Sequence, residues 1–147
     1  MGKINEKIAK EMTKSNGIGK GISMTIQELY KEGIFRLKQA RIAEAELDAW
    51  YLLEYVTGIS RTMYYLKQAE PAEEQAAERY FDCISRRAQR IPLQHITGEQ
   101  EFMGLPFIVN EHVLIPRQDT EILVEEALSH LSGNEQVLDM CTGSGCI

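Results

Sequence analysis

The stretch Val137–Ile147, "VLDMCTGSGCI", decides how this chain is read. Val137–Met140 reads as a short strand of the kind that lies inside a parallel sheet. A loop of small residues follows it. Gly143 and Gly145 permit positive φ and let a ligand approach the backbone closely. A helix expected after such a loop turns its free N–H groups toward that ligand. A Gly-x-Gly pair occurs in many turns, so the neighbouring residues must say what the loop holds.

Asp139 is the informative neighbour. A nicotinamide fingerprint is an apolar strand running directly into G-x-G-x-x-G. Here an acid stands four residues before Gly143, and the third glycine would fall past Ile147. A carboxylate at the mouth of a sheet suits a cationic ligand and repels a pyrophosphate. S-adenosylmethionine carries an ammonium and a sulfonium and no phosphate, so it fits these residues better. Asp139 capping the coming helix is compatible with that contact. Cys141 and Cys146 match no usual zinc spacing, and no histidine follows them, so no metal site is expected.

Upstream, "EFMGLPFIVN" and "HVLIPR" are rich in β-branched and aromatic residues. They predict a β-hairpin, roughly Glu101–Val109 and Val113–Ile115, turning at "NEH". Asp119 is expected to cap a helix over about Thr120–Leu131, with Val124, Leu128 and Leu131 as its apolar stripe.

The front of the chain is helical in pattern. Thr25 and Glu28 form a capping box, and Ile26, Leu29, Tyr30, Ile34 and Leu37 make one stripe. A second helix is predicted over Glu44–Val56, its stripe Leu47, Trp50, Leu53 and Val56, with Gly58 as its C-terminal cap. A short third helix spans Arg61–Lys67. A fourth starts at Pro71, with Ala77, Tyr80 or Phe81, Ile84 and Ala88 on its buried side. Residues 1–23 differ: they carry five lysines against two glutamates, "NGIGKG" breaks their pattern, and Ile4, Ile8 and Met12 repeat every four residues. They read as a flexible extension that includes a possible short helix.

The 147 residues predict one domain, or a small domain with part of another. Net charge is -6, which speaks against binding nucleic acid through a basic surface. No apolar run reaches the roughly 18 residues of a membrane helix. Three cysteines and no signal peptide fit a reduced, cytoplasmic compartment.

The segment Arg90–Leu128, "RIPLQHITGEQEFMGLPFIVNEHVLIPRQDTEILVEEAL", followed by "VLDMCTGSGCI", resembles the bacterial release-factor glutamine methyltransferases. The resemblance rests on Gly98, Glu101-Phe102, Ile115-Pro116-Arg117 with Asp119-Thr120-Glu121, and Asp139 through Gly145. The helical front is similar to that family's N-terminal domain, so the likeness covers about residues 24–147.

The resemblance implies an α+β chain: an N-terminal helical bundle, a β-hairpin linker, then the opening helix and first strand of a Rossmann-like class I methyltransferase domain. Its boundaries are expected at 1–23 (extension), 24–90 (substrate-recognition bundle), 91–117 (hairpin linker) and 118–147 (start of the methyltransferase domain). The implied activity is N5-methylation of the glutamine in the Gly-Gly-Gln motif of peptide chain release factors, with S-adenosylmethionine as donor. Asp139, Cys141, Thr142, Gly143, Ser144 and Gly145 would line the donor site. Arg117 would lie close by, or would form a salt bridge between hairpin and catalytic domain. Cys141 stands where the family usually has glycine, which costs on the order of 1 kcal/mol if that position needs positive φ. Gln118 replaces the family's usual proline.

The ribose-binding acid expected about 20 residues on and the family's Asn-Pro-Pro-Tyr segment do not occur in these residues. The chain is therefore read as the front part of a longer enzyme, inactive alone, whose last strand lacks partners and frays. The alternatives are a helical module that binds a protein partner without catalysis, and another class I methyltransferase.

Overall fold

A computed structural model describes residues 24–140 and 142–147. The possible helix around Ile4–Met12 and the conformation of Cys141 lie outside them. The described chain is α+β, with six helices and one two-stranded antiparallel sheet. The helices are α1 (Ile26–Gln39), α2 (Ala45–Thr57), α3 (Arg61–Lys67), α4 (Glu74–Ala88), α5 (Leu93–Thr97) and α6 (Gln118–Ser129). Strands β1 (Glu99–Phe102) and β2 (Leu105–Ile108) lie between α5 and α6.

The capping box forms as expected: the Glu28 amide donates to Thr25 Oγ1, and the Thr25 amide to Glu28 Oε2. The amides of Ile26 and Gln27 donate to the carbonyls of Glu70 and Gln68. The otherwise unpaired donors of this helix start are thus satisfied by its own cap and by the segment before α4. Pro71 does not open α4. It bridges to Thr25, and the helix starts at Glu74.

The core is built by α1, α2 and α4, with Leu29, Leu37, Ala49, Leu52, Leu53, Tyr80 and Ile84 all fully buried. Tyr30, Trp50 and Tyr64 meet edge-to-face with centroids 5.4–5.8 Å apart and tie α3 to this core. The stripe expected on α2 is wrong at Leu47, which is exposed. This helix is apolar on several sides, and Leu47, Tyr51 and Tyr55, spaced by four, turn outward together.

Both α1 and α4 end in a Schellman motif. Ile42 donates to Leu37 and Arg41 to Lys38, while Ile91 donates to Arg86 and Arg90 to Arg87. The left-handed residue is an arginine in each, Arg41 at φ 56° and Arg90 at φ 68°.

The hairpin differs from its expected form. The run Glu101–Val109 does not make one strand, and Val113–Ile115 is not a strand. Met103 and Gly104, at φ 51° and 74°, make a two-residue turn, so the chain reverses inside the apolar run. Phe102 pairs with Leu105 and Glu99 with Ile108. The "NEH" segment is a local turn in which the His112 amide donates to Asn110 Oδ1. Phe102, Val109 and Pro116 are buried around this hairpin, outside the main cluster.

The final helix starts two residues earlier than expected. Arg117, not Asp119, stands at its N-cap, and Asp119 lies in its first turn. None of its residues is buried, and Ile122, Leu123 and Leu128 are exposed. The strand expected at Val137–Met140 is absent, and Val137, Leu138 and Met140 are exposed. A strand needs neighbouring backbone to pair with. Among the described residues none pairs with this segment. No described helix is long and apolar enough to cross a membrane.

Candidate functional site

Within the segment 139–145, expected to hold the donor, residues 142–145 form a turn. The Gly145 amide donates to the Thr142 carbonyl at 2.9 Å, closing a turn. Gly143 and Gly145 take φ 60° and 75°, so both use the backbone freedom that reserves such positions for glycine. A side chain on Gly145 would meet only Thr142 Cγ2, at 3.9 Å. The Ser144 hydroxyl points to Cys146 Sγ at 3.1 Å. Thr142 and the two glycines are exposed, and Ser144 is half-buried.

Asp139 is half-buried, and its Oδ2 is shielded from solvent with no hydrogen-bond partner among the described residues. An acceptor in that state favours a ligand that brings a donor or a positive charge. The residues present therefore fit the cationic methyl donor: an unsatisfied carboxylate oxygen just ahead of an open glycine turn. Arg117 is exposed at the start of α6 and makes no ion pair among the described residues.

Between α6 and this loop, Glu135 fills a small nest. Its carboxylate accepts from the Ser132 hydroxyl and from the amides of Ser132, Gly133 and Asn134. The Ser132 side chain and backbone draw its pKa down to about 2.

The bundle carries the other concave features. A groove of about 380 Å³ is lined by Tyr55, Glu78, Arg79, Asp82, Cys83, Arg86 and Ile96. Burial pushes the Cys83 thiol up, which keeps it protonated and makes it a poor nucleophile. A second groove of about 410 Å³ runs along Lys38, Ile42 and Ala43–Leu47. Neither includes a residue of the loop. No group of three or more potential metal ligands occurs among the described residues.

Sequence reasoning missed Glu121 as a structural contact. Its Oε1 accepts from the Met103 amide at 2.7 Å, joining the hairpin tip to α6. Its place in the first turn of a helix gave no hint of a partner 18 residues away.

Residues 28–98 match the family described as the PrmC N-terminal domain. Release factor glutamine methyltransferase of Deinococcus radiodurans is 40% identical over 126 residues, which is 84% of this chain and 45% of that protein. The Geobacter sulfurreducens protein of the same name is 41% identical over 111 residues, or 76% of this chain and 39% of the relative. That of Shewanella oneidensis is 46% identical over 104 residues, covering 70% and 36%. The chain spans less than half the length of these relatives. It belongs to the release factor glutamine methyltransferase family, with residues 28–98 corresponding to that family's N-terminal domain.

Proposed function

We propose that the chain is the front part of an S-adenosylmethionine-dependent enzyme that methylates the N5 nitrogen of the Gly-Gly-Gln glutamine in peptide chain release factors, in the cytoplasm. In this reading residues 24–90 and 91–117 hold the protein substrate. Residues 118–147 open a Rossmann-like class I methyltransferase domain. The observation that carries it is the family match over 28–98 together with the unsatisfied Asp139 oxygen ahead of the Thr142–Gly145 turn.

Asp139, Cys141, Thr142, Gly143, Ser144 and Gly145 would hold the donor, which supplies an electrophilic methyl on a positively charged sulfur. The exposed Arg117, at the head of α6, stands as a further candidate near it. The Asp139 carboxylate contributes charge complementarity, and the glycines let the ligand lie against backbone. An amide nitrogen is a weak nucleophile because its lone pair is delocalised, so the reaction depends on positioning. Residues 1–147 contain no Asn-Pro-Pro-Tyr segment to grip the amide, and by themselves they are expected to transfer no methyl.

Calorimetric titration of S-adenosylmethionine into the full-length enzyme, wild type and Asp139→Ala, tests the donor site. At least a tenfold loss of affinity in the variant is expected, and equal affinity overturns the assignment. Methyl transfer by the 147-residue polypeptide to a Gly-Gly-Gln peptide would overturn its proposed inactivity. The second reading, a binding module without catalysis, is favoured by a bundle core that closes within residues 26–96. Under it, the helical part alone captures release factor as tightly as the full-length enzyme does.

A further inference from the structure

Among the described residues, one hydrogen bond joins α6 to another element of the fold: Met103 N–H to Glu121 Oε1, 2.7 Å. The helix itself has no buried residue, so packing does little to set its direction. The donor is well defined. Met103 lies at the turn between β1 and β2, where its amide points away from the ladder and needs an outside acceptor. The acceptor is equally well placed, because a carboxylate in the first turn of a helix is favoured by the helix dipole. The hairpin follows directly on α5, whose Ile96 is buried in the bundle core, and Val109 N–H closes its open end on the Gly98 carbonyl at 2.9 Å.

We propose that Glu121 is a positioning residue. It latches the first helix of the donor-binding half to the hairpin tip, and so sets how the bundle and the donor loop face each other. The proposal rests on the reading of residues 118–147 as the start of a donor-binding domain. A charge-assisted bond from a rigid two-residue turn is short and directional, which makes it suited to fixing an angle. Met103 contributes through its backbone, so its side chain is free to vary without loss of the latch.

The test uses the 147-residue chain, ¹⁵N-labelled, as wild type, Glu121→Gln and Glu121→Ala. In the wild type, residual dipolar couplings of α6 and of the hairpin are expected to fit one common alignment. In Glu121→Ala they are expected to need two, with Met103 amide exchange about tenfold faster and the amides of Leu53 and Ile84 unchanged. Glu121→Gln keeps an acceptor at the same reach and is expected to retain the common alignment. A shared alignment in Glu121→Ala overturns the proposal. So does melting of α6 itself in that variant, because the residue would then act on the helix and not on its direction. A failure of the wild-type full-length enzyme to bind S-adenosylmethionine would strike the donor-site reading and leave the alignment result standing.

Discussion

Tyr80 crosses α1 at Gly33: a Cβ on Gly33 would stand 2.7 Å from Tyr80 Cζ and overlap its hydroxyl. That hydroxyl donates to the Ala49 carbonyl at 3.2 Å, so one ring spans α1, α2 and α4. Gly33→Ala gains about 1 kcal/mol in helix propensity. It loses about 1–3 kcal/mol to overpacking in a closed core. A net destabilisation is expected, read as a lower urea midpoint. Tyr80→Phe is expected to cost about 1 kcal/mol through the lost hydrogen bond. In the double variant the two changes should couple, because removing the hydroxyl relieves part of the clash.

The Arg87 Nε donates to Asp48 Oδ2 at 2.7 Å, and its Nη1 to the Ile91 carbonyl. Asp48 is nearly buried and Arg87 about one-fifth exposed. Removing one partner of such a pair leaves a charge without compensation. Asp48→Ala is expected to destabilise by about 2 kcal/mol, below the 3–5 kcal/mol of a fully buried pair. Asp48→Ala with Arg87→Met should recover part of the loss, measured by a double-mutant cycle in chemical unfolding.

Arg41 and Arg90 sit at the left-handed position of their Schellman motifs, where glycine is usual. Glycine removes the Cβ conflict but enlarges the unfolded ensemble. Arg41→Gly and Arg90→Gly are each expected to stabilise by about 0.5–1 kcal/mol, seen as a rise of a few degrees in Tm.

The nest around Glu135 predicts a local acid transition. Its folded pKa, about 2, lies below its ordinary value of 4.5. The carboxylate is thus the form that the turn favours. Its contribution is fully present above about pH 4.5 and is lost as the pH falls through about 2. Amide shifts of Ser132, Gly133 and Asn134 followed by NMR should titrate together near that lower value. In Glu135→Gln they should stay flat.

Much of the bundle was legible because its signals are local. Thr25 and Glu28 announce α1, Gly58 ends α2, and the burial of Leu29, Leu37, Leu53 and Ile84 follows a 3.6-residue period. Leu47 was misread because α2 is apolar on more than one side, and periodicity alone cannot say which side meets a neighbour. The short α5 was missed altogether; five residues are too few to show a period. The hairpin failed for a different reason. Met103 takes a positive φ that methionine rarely adopts, so its pairing with Gly104 carried no recognised turn signal. In the loop, the glycine positions and Asp139 were legible from residue type. The strand ahead of them was not, since a strand depends on a pairing partner, and none pairs with it among the described residues. The Glu121 contact is tertiary, and no local pattern encodes it.

The bundle core is complete once the chain has reached Ile96. At about 5–20 residues per second, synthesis of residues 97–147 takes several seconds. A small helical bundle folds in microseconds to milliseconds. The nascent chain therefore adds its hairpin and glycine turn onto a platform already solid, and misfolding of the later segments during translation does not endanger the earlier one.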